Sequence, residues 1–303
     1  MKKIGILTAT TSEKPFLSQW INIKKAGDRL GVEVELLRNG EFELSINDGF
    51  EIFYNNKKFD LDNYSVFYNG IGTSAKHTGN FYIPEVLLYM GFKVFNKPSS
   101  IALTRDKLKT LNILTANNVK LTPSYVIRRS EDLDFLPKPF NEFPLIIKRI
   151  FGSKGKSVVR VDDKFQLKSI FDFGWNADRN DIFLIQPFIG NIKAHSDVRV
   201  IVLGNKVAGA MKRVAVLGDF RTNFSLNRQV ESVELTDFEI SECERISKIM
   251  NLEYAGVDFI RTEKGPIFLE VNGTPGFTGI NSVFEKEGGS FFEEFIKFSC
   301  QIK

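Results

Sequence analysis

The sequence predicts a mixed α/β protein of two or three small domains: a mainly parallel α/β unit first, then strands paired in antiparallel hairpins. Three observations carry this. At 303 residues the chain can bury more than one core. Residues 3 to about 95 alternate short apolar strands with amphipathic helices, the pattern of a parallel sheet whose ligands bind beyond the strand C-termini. After them, apolar runs come in pairs around Gly-containing turns, the pattern of hairpins.

Composition narrows the function. The chain is 43% hydrophobic and 26% charged, as ordinary globular proteins are. A net charge of +4 is too mild to imply nucleic-acid or membrane binding, and it suits acidic ligands. The 29 phenylalanines are scattered, which suggests core filling rather than a base-stacking platform. Cys243 and Cys300 have no metal or redox spacing, and a reducing cytoplasm is the expected location. With His77 and His195 the only histidines, a His-rich zinc centre is excluded. The apolar run after Met1-Lys2-Lys3 is too short for a signal peptide, and no stretch reaches membrane-spanning length.

In chain order, Ile4–Leu7 is a strand, Gln19–Leu30 a helix ended by Gly31, and Val32–Leu37 the next strand. Phe42, Leu44 and Ile46 alternate into a β-excursion that continues through Ile52 and Phe53. Ser65–Tyr68 is a strand running into Asn69-Gly70-Ile71-Gly72; a helix over Gly79–Met90 and a strand at Lys93–Phe95 close the unit. Gly70-x-Gly72 lacks the third glycine of a dinucleotide fingerprint and reads as a plain turn. Asn96 to Ser100 is the boundary. Thr104 is the expected cap of a helix with Leu108, Leu111 and Leu114 on one face. Lys107 lies in its first turn, where a cation is either solvated or beside a bound anion. Pro144–Lys148 and Val158–Val161 are strands around a glycine loop. Its Gly155-Lys156-Ser157 ends like a P-loop, but the first glycine of that motif falls on Ile150 and a strand follows. A flap whose amides and lysines fold over phosphates remains open beside a plain structural hairpin.

Phe165–Phe173 is a helix, and Ile182–Gln186 is a buried strand running into Pro187-Phe188-Ile189. Asp197–Val202 pairs across Gly204-Asn205 with Lys206–Met211, which places Asp197 and Arg199 on one face. Thr236-x-x-Glu239 is a capping box opening a helix with Cys243, Ile246, Ile249 and Met250 inward. Ser290-x-x-Glu293 opens the last helix. Between them lies an acidic hairpin, Ala255–Ile260 and Ile267–Gly273. A turn centred on Lys264 sets Asp258 opposite Glu270 and Ile260 opposite Phe268. Asp258, Glu270 and Asn272 then project from one face. Opposed carboxylates repel, so either a hard cation, Mg²⁺ shared with substrate phosphates, sits between them, or the pair is an ordinary exposed hairpin face.

These features, taken in order, resemble the ATP-grasp superfamily, and within it the RimK-like carboxylate–amine ligases. Those enzymes attach amino acids such as glutamate to a peptide or small-molecule carboxylate. The likeness covers nearly the whole chain. It is carried by Ser100–Lys107, Pro144–Lys148, Leu184–Gln186, Asp197-x-Arg199, Gly218-Asp219-Phe220-Arg221-Thr222-Asn223, Gly256-Val257-Asp258 and, most specifically, Glu270-Val271-Asn272-Gly273-Thr274-Pro275-Gly276.

The resemblance implies an ATP-grasp fold in three parts: an N-terminal parallel α/β domain (1–96), a small central domain with the flap (97–189), and a C-terminal antiparallel-sheet domain with the metal site (190–303). It implies ATP, with Mg²⁺ or Mn²⁺ as two ions on Asp258, Glu270 and Asn272. Lys107 and Lys148 would hold phosphates, and the flap at Gly152, Ser153, Lys154 and Gly155 would close over them. Gln186, Pro187, Phe188 and Ile189 would hold adenine. Asp197, with Arg199 on its face, would contact the ribose, and Arg221 and Asn223 the reacting end. The implied partners are a small-molecule or peptide carboxylate and an amino-acid amine, with no nucleic acid or membrane; a homo-oligomer is left open. Departures stand at Pro187 (usually Glu), Lys154 (commonly Gln) and Asn69 (often Arg). Pro187 removes a backbone donor, so an adenine donor would come from Phe188 or Ile189. Lys193, Lys212, Arg213, Arg221 and Arg228 suggest an acidic acceptor. A catalytically silent ATP-binding module and a kinase on the same fold are the rival readings.

Overall fold

A computed structural model describes residues 2–9, 14, 16–72, 78–151, 158–177, 182–190, 195–215 and 229–302. The N-terminal unit runs β1 (Lys3–Thr8), α1 (Ser18–Arg29), β2 (Val34–Arg38), β3 (Phe42–Ile46), β4 (Phe50–Tyr54), β5 (Lys57–Lys58), β6 (Tyr64–Asn69), α2 (Tyr82–Tyr89) and β7 (Val94–Phe95). Its sheet, in the order β2-β1-β6-β7, is parallel throughout, as the strand–helix alternation predicts. Strands β3 to β5 form the small antiparallel excursion. Gly70 turns the chain out of β6 where a Cβ would strike Trp20 at 2.7 Å, so the turn needs glycine for space.

The central part starts with α3 (Pro98–Arg105) and α4 (Lys107–Ala116). The expected Thr104 cap is wrong by two residues. Thr104 lies inside α3, where its hydroxyl donates to the Ile101 carbonyl at 2.8 Å. Asp106 breaks the two helices apart and caps α4, accepting from the Lys109 amide at 3.0 Å. A sheet in the order β10-β9-β11-β8 follows, from β8 (Tyr125–Ile127), β9 (Leu145–Arg149), β10 (Val158–Val161) and β11 (Phe183–Pro187), backed by α5 (Lys164–Ala177). Residues 145, 147, 183 and 185 point into the core with Leu167 and Phe171, so Lys148 and Gln186 face the other side.

The C-terminal sheet, in the order β14-β13-β12-β15-β16, is antiparallel. Its strands are β12 (Ser196–Leu203), β13 (Lys206–Val214), β14 (Gln229–Ser232), β15 (Tyr254–Thr262) and β16 (Gly265–Asn272). Helix α6 (Asp237–Ile249) opens with the Thr236–Glu239 capping box, and α7 (Thr278–Lys286) and α8 (Phe291–Gln301) end the chain. Strand β14 and α7 are not among the elements the sequence predicts. Val198, Val200, Val202, Val257 and Phe259 pack against α4 and α6. The opposite face carries Asp197, Arg199 and Asp258 at one end and Ile201 and Leu203 at the other.

The acidic hairpin turns tighter than expected. Thr262 pairs with Gly265, whose φ of +92° suits glycine, so Glu263 and Lys264 alone form the turn. Ile260 therefore faces Ile267, not Phe268. A bulge at Leu269 restores the register, and Asp258 does face Glu270.

Candidate active site

A pocket lies between the central and C-terminal sheets. Lys107, Lys148, Gln186, Pro187, Phe188, Ile189, His195, Asp197, Arg213, Asp258 and Glu270 are among its walls. Nine of the residues singled out from the sequence thus converge there. Each arrives by a local rule. Lys107 is the first residue of α4, and its amide donates to the Ile150 carbonyl at 3.2 Å, which ties the helix to the end of β9. Lys148 and Gln186 sit on the non-core face of the central sheet, and Gln186 is held by a 2.7 Å bond to the Ser124 hydroxyl. The Phe188 amide donates to the Pro144 carbonyl at 3.1 Å, which leaves Ile189 as the backbone donor just after β11.

The floor of the pocket is a row of alternating charges across four strands. Arg199 grips Asp258 through two bonds of 2.6 Å. Arg213 grips Asp197 at 2.7 and 2.6 Å and reaches Asp258 at 2.8 Å. Glu270 ends the row, 3.7 Å from Arg199 and with its side chain 45% exposed. Burial alone would raise the Asp258 carboxyl, but the two guanidiniums override it and hold it below the usual range. Burial opposes the charge on Arg213 too, and Asp258 and Asp197 raise its pKa regardless. The basic lining expected from the sequence is therefore corrected in part. Arg213 is 2% exposed and committed to two carboxylates, while Lys212 lies on the other face of β13 near Glu231.

The lysines behave differently. Burial pushes Lys148 down to about 8, with Lys107 adding to the shift and Glu270 opposing it. Burial also lowers Lys107. No carboxylate among the described residues lies within 4.0 Å of the Lys148 ammonium. A desolvated cation without a protein anion marks a place for a ligand anion.

A divalent cation fits part of the expected triad. Among the described residues no three His, Cys, Asp or Glu side chains are grouped to hold a metal, so an ion here must also use an amide or substrate oxygens. Glu270 is half-exposed and only distantly paired, and Asn272 Oδ1 accepts one bond, from the Thr274 amide at 2.9 Å, with a lone pair to spare. These are hard oxygen donors suited to Mg²⁺. Asp258 is held by two guanidiniums, with Oδ1 accepting from Arg199 and Oδ2 from Arg199 and Arg213. Asn272 does not line the pocket itself; it lies two residues along β16 from Glu270, opposite Gly256.

His195 is also in the wall. It is 8% exposed, its ring lies 5.3 Å from that of Phe188, and its Nδ1 is buried without a partner. Burial lowers its pKa, so it is neutral near pH 7. Arg213 was legible only as one of several basic residues. Counting back from the Gly204-Asn205 turn would set Lys212 opposite Asp197, and a bulge at Ala208 moves Arg213 there instead. The flap at Gly152, Ser153, Lys154 and Gly155 lies outside the described residues, as do Arg221, Asn223, His77, Lys193 and Arg228.

Comparison with known proteins shows the family. A probable alpha-L-glutamate ligase of Coxiella burnetii is 31% identical over 296 residues, 97% of this chain and 95% of that protein. In fold, the chain resembles a RimK domain ATP-grasp protein from Sphaerobacter thermophilus, with a TM-score of 0.71 at 16% identity over 98% of this chain and 99% of the other. It also resembles the ATP-grasp ligase PsnB in complex with a precursor variant, Mg and ADP, with a TM-score of 0.68 at 16% identity over 99% and 98%. The RimK-like ATP-grasp domain matches residues 104–287, a span that starts beside Lys107 and contains every pocket wall named above. The chain accordingly belongs to the RimK-like ATP-grasp family of ATP-dependent ligases.

Proposed function

We propose that the protein joins an amino acid, glutamate first among the candidates, to the carboxylate of a peptide or small molecule, with ATP as the energy source. The observation that carries this is the pair of lysines, Lys107 and Lys148, set in one pocket against a row of carboxylates and guanidiniums. The relative from Coxiella burnetii, by its name a glutamate ligase, supports the choice of amino acid.

The reaction suits these residue types. An acceptor carboxylate oxygen attacks the γ-phosphorus, ADP leaves, and an acyl phosphate forms. The amine nitrogen then attacks the acyl carbon, phosphate leaves, the nitrogen loses a proton, and an amide results. Several negative charges meet in the first step, and Lys107 and Lys148 supply fixed cations for them. Gln186, Pro187, Phe188 and Ile189 line the adenine side, where the Pro187 carbonyl accepts and the Ile189 amide donates. Asp197 is assigned to the ribose, the Gly152–Gly155 flap to closure, and Arg221 and Asn223 to the reacting end. Glu270 and Asn272, with Asp258, would hold Mg²⁺, as two ions. The bound ion supplies charge neutralisation at the phosphate oxygens.

A screen of ADP release over amino acids paired with peptide and metabolite carboxylates tests this, with product mass as the second readout. Release that needs both substrates, with a product heavier than the acceptor by an amino-acid residue, is expected. A phosphorylated product would instead make the protein a kinase, and no release with any pair would make it a silent nucleotide-binding module.

A further inference from the structure

Arg105 ends α3, and its guanidinium sits where three segments meet. Its Nη2 donates to the Thr274 hydroxyl, in the loop after β16. The same nitrogen lies 3.3 Å from where a Cβ on Gly72 would stand, in the loop after β6, and the Thr274 oxygen lies 3.6 Å from that point. A side chain at position 72 would press on the guanidinium. Glycine keeps the approach open, and Gly72 is itself exposed.

The guanidinium is unmatched in charge. Arg199, Arg213 and Arg261 each hold a carboxylate through two bonds of 2.6–2.7 Å. Arg105 has the same fork, yet no carboxylate among the described residues lies within 4.0 Å of it. Its Nε is buried with no hydrogen-bond partner, and burial works against its charge. A desolvated guanidinium in this state is costly unless an anion completes it.

Its position says which anion. Arg105 is two residues from Lys107, and Thr274 is two residues from Asn272. Neither lines the pocket that contains Lys107, Lys148 and Glu270. The place therefore adjoins the phosphate pocket without being part of it. We propose that Arg105, with the Thr274 hydroxyl, seats the α-carboxylate of the amino acid whose amine attacks the acyl phosphate. This rests on the ligase reading above. The acceptor carboxylate must reach the γ-phosphate inside the pocket and is consumed there. The donor's α-carboxylate is one carbon from the attacking nitrogen and stays an anion throughout. It needs a fixed cation just outside the phosphate pocket, and a guanidinium fork matches it in plane and charge. Holding it aims the amine at the acyl carbon.

Calorimetry tests the seat with L-glutamate and its α-carboxamide, L-isoglutamine, titrated into the full chain loaded with Mg²⁺ and a non-hydrolysable ATP analogue. The wild type is expected to prefer glutamate by at least about tenfold, as loss of a charged hydrogen-bond pair implies. Arg105→Met should erase that preference while nucleotide affinity stays within about twofold, and Arg105→Lys should recover part of it. Should Arg105→Met fail to fold, Thr274→Val asks the same question from the other side of the seat, and weaker glutamate binding with unchanged isoglutamine binding is expected. No glutamate preference in the wild type, or an intact preference in Arg105→Met or Thr274→Val, overturns the seat. Product mass keeps the two claims apart. Absence of any ATP-dependent amide sinks the ligase reading, whereas amide formation with undiminished glutamate preference in Arg105→Met sinks the seat alone.

Discussion

At the scale of single residues, Lys148 shows how a buried setting changes a lysine, and its proposed role at a phosphate follows from that. On β9 it alternates with core residues Leu145 and Ile147, so its ammonium faces the pocket wall rather than open water. Burial pushes its pKa down to about 8 from the ordinary lysine value of 10.5. Between those two values the unfolded chain binds more protons than the folded one. The penalty for burying this ammonium is thus full below pH 8 and fades as pH rises through that window. Bound phosphates reverse the balance by favouring the charged form. Nucleotide affinity is therefore expected to fall by about tenfold or more from pH 7.5 to 9.5, because the charged fraction of the free lysine drops about tenfold for each pH step beyond its pKa. Lys148→Arg, charged at every such pH, should show a flat profile. Calorimetric dissociation constants across that range check it, and a pH-independent wild type would remove Lys148 from the phosphate site.

At the scale of elements, two bulges decide the chemistry of the row. The extra residue Ala208 sets Arg213 opposite Asp197, and the extra residue Leu269 sets Glu270 opposite Asp258. Neither bulge has a glycine at the inserted position or another local mark in the sequence. The acids were legible because alternation puts them on one face, but their pairing with Arg199 and Arg213 was not. Opposed carboxylates invited a cation, and in the folded chain the cations gripping Asp258 are guanidiniums. This separates two substitutions that look alike in the sequence. Glu270→Ala removes a half-exposed donor and should abolish turnover with little change in melting temperature. Asp258→Ala strands Arg199 and Arg213 in a buried site, and should cost about 3–5 kcal/mol of stability as well as turnover. Thermal melts beside ADP-release assays distinguish them, and equal stability losses would contradict the unequal burial of 2% and 45%.

At the scale of the whole molecule, the N- and C-terminal units share one core. Ile4, Ile6, Trp20, Tyr68 and Phe95 pack in a single cluster with Tyr254, Phe277, Phe291 and Phe295. Tyr68 and Phe295 lie 4.9 Å apart by ring centroid, and α8 covers the sheet from the far end of the chain. Asn96, at the expected boundary, is a clamp between the two units. Its amide donates to the carbonyls of Tyr254 at 2.5 Å and Gly273 at 2.6 Å and accepts from the Tyr254 amide at 2.8 Å. Asn96→Ala would leave three buried backbone groups unpaired, and a loss of at least about 2 kcal/mol is expected. Denaturant unfolding measures it, and an unchanged midpoint would show that the clamp carries no stability. Among the described residues no helix is long and apolar enough to cross a membrane. By itself the sequence determined the order of most strands and helices, the capping box at Thr236, and the residue types of the proposed ATP site, because periodicity and local hydrogen bonding act within a few residues. Only the tertiary structure decided the cap at Asp106, the bulged registers, the pairing of Asp258 with two arginines and the placing of Arg105 beside Gly72 and Thr274. These depend on contacts between segments far apart in the chain, where burial and charge, not local propensity, select the neighbour.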